Sequence, residues 1–437
     1  MTTLALAPHR APVPEAKLPR LLAGLGDRPS SLRWHELQHG PMPTLRRADR
    51  LIDVVEASGL TGRGGAGFPA GRKMRSVAAG PGAKVLIANG AEGEPASLKD
   101  KVLLSRLPNL VLDGMTLAAE AVGAREAFLC VHRTEGGLLE GLERVVQERL
   151  AAGLDPVPIR VTGIPGRYVS SEQSSIVQYL NGGPGKPTFA PPRPHERGVN
   201  GNPTLVHNVE TLAHMALIAR HGARWFRGAG SPAAPGSMLV TVGGAVRWPG
   251  VYEIEMGTSL GQLVMLAGGP AEPLQALLVG GYFGCWLPVQ AAWPVPMTHA
   301  SLKGAGAALG AGIVIALPAS ACPLAETARV VRYLAEETAG QCGPCVFGLP
   351  ALADALGDLA YSGGQDGGVG RVAALLPLIE RRGACRHPDG ATQLVRSVLR
   401  AFPGEVRWHE RTGSCDGVRR PPLLPLPRDE ERDQDFT

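Results

Sequence analysis

The sequence contains few aromatic residues and no cluster of positive charge. Aromatic side chains make up 5% of the 437 residues, and the net charge of +5 is spread along the chain without a lysine-rich block. Since nucleic-acid binding requires a clustered basic surface, the charge pattern does not indicate it. One run, Gly304 to Cys322, lacks charge altogether. It is rich in Gly and Ala and contains Pro318, so we expect a core strand at 313–317 and no membrane span.

The seven cysteines are an odd number, and no secretory signal is recognisable at the N-terminus. We therefore expect a reducing compartment, in which grouped cysteines indicate metal or redox chemistry and not disulfide bonds. The expected location is cytoplasmic, with attachment at the inner face of the membrane through partners as the alternative. The length predicts two to four domains, and the 58 glycines and 39 prolines predict many loops and tight turns.

A glycine-rich stretch, GLTGRGGAGFPAGRKM at 59–74, is the strongest local signal. Five of its glycines fall within nine residues, and without Cβ atoms they let backbone N–H groups approach a bulky anion. Such a loop before a helix can bind phosphate. It is not a Walker A loop, since no G-K-[ST] follows, and it is not a regular G-x-G-x-x-G. The composition favours a nucleotide or flavin phosphate over an ordinary surface loop.

Polar side chains follow a predicted buried strand shortly afterwards. The strand, 85–88, is strongly apolar, and Asn89, Glu92 and Glu94 come directly after it on a loop that also contains Gly and Pro. In open α/β sheets, ligands bind just beyond the carboxyl ends of the strands. The two stretches together therefore predict a ligand site at this edge of the sheet.

Both stretches resemble the flavoprotein subunit of complex I, the NADH-binding subunit of NADH:quinone oxidoreductase. In that family, a loop close to GRGGAGFP-x-G-x-K is followed by N-A-D-E-G-E-P, and here the second motif is NGAEGEP at 89–95. Further matches are Tyr168 and Glu172 in RYVSSEQSSIVQ, and the stretch NPTLVHNVETLA at 202–213. The resemblance extends almost to the C-terminus.

The resemblance implies a function and a set of site residues. NADH would give hydride to FMN, which would pass electrons singly to a 4Fe-4S cluster and on to a partner. The glycine loop and Lys73 would hold the FMN phosphate and ribose, Phe68 would stack on the nucleotide, and Glu94 would face its ribose hydroxyls, which favours NADH over NADPH. The implied cofactor-binding residues are Gly62, Arg63, Gly64, Gly65, Phe68, Lys73, Asn89, Glu92, Glu94, Tyr168, Glu172 and Asn208.

The chain departs from the family at four positions near the expected cofactors. Ala91 replaces an aspartate and Gln173 a glutamate, while Ala190 replaces a lysine and Arg193 an aromatic residue. Each lost polar contact is worth about 1 kcal/mol, so several together would lower the affinity for NADH about a hundredfold.

Three cysteines match the family's iron–sulfur pattern. Cys342, Cys345 and Cys385 fit E-S-C-G-x-C-x-P-C and its distant fourth cysteine, whereas Ala339 stands where the first cysteine would be. The resemblance leaves one iron to be bound by solvent, by a side chain such as Glu337 or by a partner residue. Otherwise the cluster is lost or reduced to a three-iron form.

Two other interpretations of these cysteines remain open. They are a zinc site, to which His387 would contribute, and a set of plain buried thiols. The remaining four cysteines lack such spacing and are expected to be inert: Cys130, Cys285, Cys322 and Cys415.

Alternating strands and helices predict an α/β fold with a mostly parallel, doubly wound sheet. The predicted strands are 85–88, 126–132, 157–162 and 277–285, and the predicted helices are 44–58, 109–122, 135–152, 324–337, 349–359, 369–381 and 391–402. The predicted domains are an irregular leader at 1–43, an FMN/NADH-binding α/β domain at 44–235, a ubiquitin-like β-grasp module at 236–320, an iron–sulfur-binding helical bundle at 321–410 and a disordered tail at 411–437.

We expect an FMN-dependent NADH:acceptor oxidoreductase subunit of the quinone type. Its partners would be other subunits of a redox complex and a ferredoxin-like or membrane electron acceptor. One alternative is a subunit that is non-catalytic or fed by another donor, and that has lost NADH use and the cluster. Another is a metabolite-binding protein built on the β-grasp module. The intact loop 62–67 favours the first hypothesis, because a purely structural subunit has no need of a phosphate loop.

Overall fold

The computed structural model describes residues 18–44, 49–362, 368–428, 431–433 and 435–437. Its first part alternates helices and strands, as the sequence predicts. The elements in chain order are α1 (Leu32–His39), α2 (Asp49–Ser58), α3 (Ala70–Ala78), β1 (Lys84–Asn89), α4 (Lys99–Arg106), α5 (Pro108–Val122), β2 (Ala124–His132), α6 (Gly136–Ala151), β3 (Ile159–Ile164), α7 (Gln173–Leu180), β4 (Thr204–Asn208) and α8 (Val209–Phe226).

The four strands form one parallel sheet in the order β3-β2-β1-β4. Alternate residues of β1 point to opposite faces, as the pleat requires. Leu86 and Ala88 belong to the core cluster that contains α5 and α8, whereas Val85 and Ile87 pack in a second cluster with residues of α7. Because both faces are covered by helices, the predicted doubly wound α/β fold is confirmed.

A second sheet follows, preceded by a two-stranded ribbon. Its elements are β5 (Gly230–Ser231), β6 (Ala234–Pro235), β7 (Ser237–Gly244), β8 (Gly250–Glu255), α9 (Leu260–Leu266), β9 (Leu274–Val279), β10 (Cys285–Pro288), α10 (Val289–Ala292), α11 (His299–Gly304) and β11 (Ile313–Pro318). The strand order is β10-β9-β11-β7-β8, with β7 and β11 parallel and the other pairs antiparallel. This mixed sheet with its helix α9 is the predicted β-grasp module.

The predicted bounds of one strand in this module are wrong. The sequence predicts a single strand at 277–285, but the chain forms the hairpin of β9 and β10 with a turn between them. Gly280 and Gly281 in this turn have φ of 97° and 87°, a conformation that favours glycine and ends a strand. The uncharged run contains β11, all of whose residues are buried, which confirms the predicted core strand.

The last part of the chain is a helical bundle. Its helices are α12 (Pro323–Glu336), α13 (Leu349–Tyr361), α14 (Gly368–Ile379), α15 (His387–Ala401) and α16 (Pro403–Thr412), with a π-helical turn at Pro344–Gly348. The sequence predicts four of these helices and misses α16. Pro403 ends α15 but also begins the next helix, since proline is tolerated in a first helical turn.

The prediction of a disordered tail at 411–437 is wrong for its described residues. The backbone N–H groups of Leu423 and Leu424 donate to the Glu326 carboxylate at 2.8 and 3.0 Å, and Leu424 is only 1% exposed. Farther along, Asp433 is paired with Arg133, next to β2. The tail therefore runs from the bundle back to the first sheet.

The predicted irregular leader at 1–43 is only partly within the described residues. Residues 1–17 lie outside them. From residue 18 onward the chain is packed: the N–H groups of Arg20 and Leu22 donate to Glu253 Oε2 at 2.7 and 3.1 Å, and Leu21 is fully buried. Across the described ranges, no single helix has the length and hydropathy of a membrane span, and α4 with α5 qualifies only as a pair bent by 94°.

Candidate cofactor site

A cavity of about 720 Å³ lies beyond the carboxyl ends of β1 and β4. The last residues of these strands, Asn89 and Asn208, are direct neighbours across the sheet. The volume is that of a small-molecule or cofactor site. All twelve residues predicted to bind the cofactor line it, namely Gly62, Arg63, Gly64, Gly65, Phe68, Lys73, Asn89, Glu92, Glu94, Tyr168, Glu172 and Asn208.

The glycine loop presents free backbone donors to this cavity. The loop is closed at its base by a bridge between Thr61 and Pro69 and then enters α3. Among the residues that the structure describes, the N–H groups of Gly64, Gly65 and Ala66 donate to no protein acceptor. Gly65 has φ of 103°, and a Cβ on it would lie 3.2 Å from a backbone oxygen. The loop is thus built for close approach of an anion.

Lys73 adds the positive charge that a phosphate requires. Its Nζ donates to the Val206 carbonyl at 2.7 Å and lies 3.3 Å from Gln173 Oε1. Burial lowers the pKa of Lys73 to about 8, although Glu172 opposes the shift. A buried lysine whose pKa is lowered is stabilised in its charged form when a dianion enters the cavity. The glycine loop and Lys73 therefore fit a phosphate-bearing ligand.

Arg63 has a structural role that the sequence did not predict. Its guanidinium donates to Thr61 Oγ1 at 3.0 Å and to the Ser237 carbonyl at 2.9 Å, and it lies 3.9 Å from Glu210. Because Ser237 begins β7, the side chain joins the glycine loop to the β-grasp sheet. A cofactor contact of Arg63 remains a prediction.

Glu92 holds the acidic loop in place. Its carboxylate accepts hydrogen bonds from Ser97 Oγ and from the N–H groups of Asp100 and Lys101, in the first turn of α4. Burial and the nearby Asp100 raise the pKa of Glu92 to about 7. The carboxylate therefore caps a helix at the edge of the cavity, in the position where a negative charge interacts well with the helix dipole.

Glu94 combines two strong contacts with one free oxygen. Its Oε2 accepts from Tyr168 Oη at 3.0 Å and from the Tyr282 N–H at 2.9 Å. Its Oε1 is buried and has no hydrogen-bond partner within the described ranges. Burial raises the pKa of Glu94 to about 7 despite these hydrogen bonds. An unpaired buried acceptor that lines a cavity is well suited to a hydroxyl or amide group of a ligand.

The predicted residues that remain occupy the walls and the mouth. Glu172 caps α7, since its Oε2 accepts from the Ser174 N–H at 2.8 Å. Phe68 is 51% exposed, which leaves its ring free to stack on a ligand. Of the four departures from the family pattern, Ala91 and Gln173 line the cavity, while Ala190 and Arg193 are absent from its described lining.

The three predicted iron ligands lie close to this cavity. Cys342 Sγ and Cys345 Sγ are 3.5 Å apart, and Cys385 lines the cavity itself. Burial, followed by the neighbouring thiols of Cys342 and Cys385, raises the pKa of Cys345 to about 12. Thiolates grouped this closely repel one another, so they need a cation in order to ionise together, and iron supplies it. Ala339, three residues before Cys342, is buried.

The structure bears on two side chains that the sequence singles out near the cysteines: Glu337, expected as an iron ligand, and His387, expected as a ligand of the alternative zinc site. The Glu337 carboxylate is occupied, since Oε2 accepts from Arg167 Nε and from the Tyr168 N–H, both at 2.9 Å. This pairing argues against Glu337 as a ligand. His387 Nε2 lies 2.7 Å from the Leu334 carbonyl, and its buried Nδ1 has no partner among the described residues. Burial lowers the pKa of His387 to about 4, so the ring is neutral.

Three family models match successive parts of the chain. They are the Nuo51 FMN-binding domain at 55–217, the SLBB domain at 239–281, and the NADH-ubiquinone oxidoreductase-F iron–sulfur binding region at 325–409. The second F subunit of NADH-quinone oxidoreductase in Rhizobium meliloti is 32% identical over 380 residues, which cover 84% of this chain and 90% of the relative. The chain belongs to the family of NADH-quinone oxidoreductase F subunits.

Other F subunits and solved structures agree with this assignment. The F subunit of NADH-quinone oxidoreductase in Streptomyces coelicolor is 31% identical over 95% of this chain and 96% of its own. The NAD⁺-reducing [NiFe]-hydrogenase in its air-oxidized state matches with a TM-score of 0.78 and 30% identity, over 90% of this chain and 71% of that one. The H₂-reduced form matches with a TM-score of 0.76 and 33% identity, over 83% of this chain, which spans only 62% of that chain.

Membership of this family confirms the predicted relationship, fold class and cofactors. The chain carries an FMN-binding domain, a soluble-ligand-binding β-grasp domain and an iron–sulfur region. The individual binding roles of the residues remain predictions. The sequence does not predict a buried network in the wall of the cavity. Lys99 Nζ lies 2.7 Å from Asp100 Oδ1 and 3.0 Å from Glu210 Oε2, and Asp100 accepts from Asn208 at 2.6 Å. The sequence signal that could have indicated this network is the adjacent pair of opposite charges, Lys99 and Asp100, at the start of α4.

Proposed function

We propose that this member of the family oxidises NADH with FMN bound in the cavity and delivers the electrons to an iron–sulfur cluster on Cys342, Cys345 and Cys385. One observation carries the proposal. Cys385 lines the same cavity as Lys73 and the glycine loop. A flavin in the cavity would therefore border the cluster site directly, which short-range electron transfer requires.

The chain's own groups would bind and orient the cofactor. When bound, FMN accepts a hydride from a nicotinamide and can release the electrons one at a time. The free N–H groups of Gly64, Gly65 and Ala66, together with Lys73, would hold its phosphate. Asn89 and Asn208, which are neighbours at the ends of β1 and β4, would border the ring.

Glu94 would set the preference for NADH. Its free Oε1 would accept from a ribose hydroxyl, and its charge would repel a 2′-phosphate. Because the pKa of Glu94 is raised to about 7, this repulsion acts only above that pH. We therefore expect the ratio of kcat/KM for NADH to that for NADPH to rise between pH 6 and pH 8. A ratio that stays constant over this range would remove Glu94 from cofactor discrimination.

The electron acceptor is proposed to be another iron–sulfur subunit of a redox complex, not quinone itself. Supporting this, Val346 and Phe347, which follow Cys345 directly, are 48% and 75% exposed. Exposed apolar residues beside the cluster cysteines suit a docking surface for a partner that takes electrons from the cluster. Replacing Phe347 with Ser should slow electron transfer to the partner and leave reduction of a small soluble dye unchanged.

The first experiment is an anaerobic absorption and EPR measurement before and after addition of NADH. We expect flavin bands that bleach with NADH, followed by the EPR signal of a reduced cluster. Cys342→Ser is the matched control: its flavin should still bleach, without the cluster signal. Flavin that NADH does not bleach would mean a different electron donor. A protein that stays colourless after reconstitution would overturn the redox function and leave a non-catalytic subunit.

A further inference from the structure

A second group of metal-ligand side chains meets where α12 begins and α16 ends. Cys322 is the residue before α12, Glu405 and His409 lie one turn apart on α16, and Cys415 follows that helix. Cys322 Sγ is 3.4 Å from His409 Nε2, which is 3.1 Å from Glu405 Oε1. The four ligand atoms all lie within 4.8 Å of one another.

This group is separate from the cofactor site. The iron–sulfur cysteines lie beyond the opposite end of α12, whose fourteen residues span about 20 Å. None of the four side chains is part of the described lining of the cavity. The group was not predicted from sequence, because Cys322 is far along the chain from the other three residues and each cysteine on its own has no informative spacing.

We propose that Cys322, Glu405, His409 and Cys415 bind one zinc ion. Two thiolates, one imidazole and one carboxylate are ligands that zinc takes in tetrahedral sites. With zinc bonds of about 2.0–2.3 Å, tetrahedral ligand atoms stand roughly 3.3–3.8 Å apart. The separations of 3.4 and 3.1 Å are close to this range. Since all four ligand atoms lie within 4.8 Å of one another, movements of at most about 1 Å would bring them around one ion.

One backbone donor faces a cysteine sulfur of the group, since the Ala325 N–H donates to Cys322 Sγ at 3.3 Å. Burial raises the pKa of both Cys322 and Cys415, so the two sulfurs stay thiols until a cation binds. The hydrogen bond from Ala325 then stabilises the negative sulfur that a metal needs. Gly417 also lies against the chain at Cys322, where a Cβ would come within 2.6 Å of the Cys322 nitrogen. The two cysteine segments are therefore packed in contact.

Burial also suits a structural ion. His409 is fully buried, whereas Glu405 and Cys415 are partly exposed and leave a path by which the ion can enter. A dication would balance much of the negative charge that two thiolates and one carboxylate bring together. The ion would fasten α16 and the turn after it to the start of α12. Neither FMN nor the iron–sulfur cluster is needed for this.

The test is elemental analysis of the full-length protein, purified anaerobically without chelators. We expect about one zinc per chain in addition to the iron. Cys415→Ser and Glu405→Gln should each lower zinc at least fivefold and leave iron and flavin unchanged. Cys342→Ser is the reciprocal control, which should lower iron and leave zinc unchanged. If both ligand variants retain their zinc, the assignment is wrong.

A readout on the wild-type chain avoids dependence on the folding of variants. ZnCl₂ added to metal-depleted protein in reducing buffer should protect Cys415 from alkylation, measured by peptide mass mapping. Cys285, a buried thiol outside the group, should resist alkylation with and without zinc, which checks that the fold is intact in both samples. Absence of zinc both as isolated and after this incubation would overturn the proposal. So would a Cys322–Cys415 disulfide in freshly prepared, anaerobic protein, because it would identify the pair as a redox couple.

Discussion

Replacing Tyr168 with Phe tests the electrostatics of the cavity, because it removes one donor from a buried carboxylate and little else. Tyr168 Oη donates to Glu94 Oε2 at 3.0 Å, and the remaining donor on that oxygen is the Tyr282 N–H. Burial keeps the pKa of Tyr168 well above its ordinary value, so the hydroxyl stays protonated. The substitution therefore changes the environment of Glu94 without changing a second charge.

The size of the effect depends on the charge of Glu94. A hydrogen bond to a charged group is worth about 1.5–3 kcal/mol, and one between neutral groups about 1 kcal/mol. Below pH 7 the native Glu94 is protonated, since its pKa is raised to about 7. Above pH 7 it is ionised, and loss of the donor raises its pKa further, by about one unit for each 1.4 kcal/mol. We expect Tyr168→Phe to cost about 1 kcal/mol at pH 6 and about 2–3 kcal/mol at pH 8.5.

Urea unfolding followed by tryptophan fluorescence, at both pH values, measures this difference. Tyr282→Phe is the matched control, since the Tyr282 hydroxyl donates to the neutral carbonyl of Pro425. Its cost should be the same at pH 6 and pH 8.5. If the two variants show equal pH dependence, the assignment of a raised pKa to Glu94 through burial is refuted.

Three further predictions concern the cofactors. Lys73→Gln should lower the FMN content of the purified protein at least about tenfold, because a charge-assisted bond is lost. Lys101→Gln, which changes a lysine outside the glycine loop, should leave the FMN content unchanged. Equal FMN content in the two variants would exclude Lys73 as a phosphate ligand. Gly65→Ala should weaken FMN binding, because Gly65 has φ of 103° and a Cβ there would press against a backbone oxygen. Gly82→Ala, at a glycine with φ of 68° and no atom near the added Cβ, should lower stability alone. Titration with FMN compares the affinities of the two variants. Ala339→Cys should lengthen the lifetime of the cluster in air, followed by its visible absorbance, because a fourth thiolate replaces a labile ligand; an unchanged lifetime would mean that another group already fills that position.

The sequence predicts the parts of this structure that depend on local pattern. Val85–Ala88 is a continuous apolar run, so its burial between two layers of helices and the site at its end follow from the residues themselves. The site residues come from four stretches of the chain, and parallel pairing of Asn89 with Asn208 brings two of them together. Family motifs add the names of the cofactors but not the hydrogen bonds.

What the sequence does not predict depends on contacts between distant segments. Arg63 looks like a phosphate ligand within its loop, and only the docking of β7 reveals its bond to Ser237. The tail is rich in Pro and charge, which is typical of disorder, but the Glu326 carboxylate binds its backbone. The group of Cys322, Glu405, His409 and Cys415 also depends on contacts between distant segments, and two of its residues lie on α16, a helix that the sequence does not predict.

The ion pair between Arg133 and Asp433 has a consequence for folding during synthesis. The two residues are 300 positions apart, and Arg133 directly follows β2, a strand of the sheet that is synthesised first. Domains fold largely as units during synthesis, and closing a long loop costs only slightly more than closing a moderate one. The first sheet can therefore form early, while Arg133 remains without Asp433 until translation has passed residue 433. The nascent chain thus has an extended interval in which a chaperone or an assembly partner can reach Arg133 before the tail covers it.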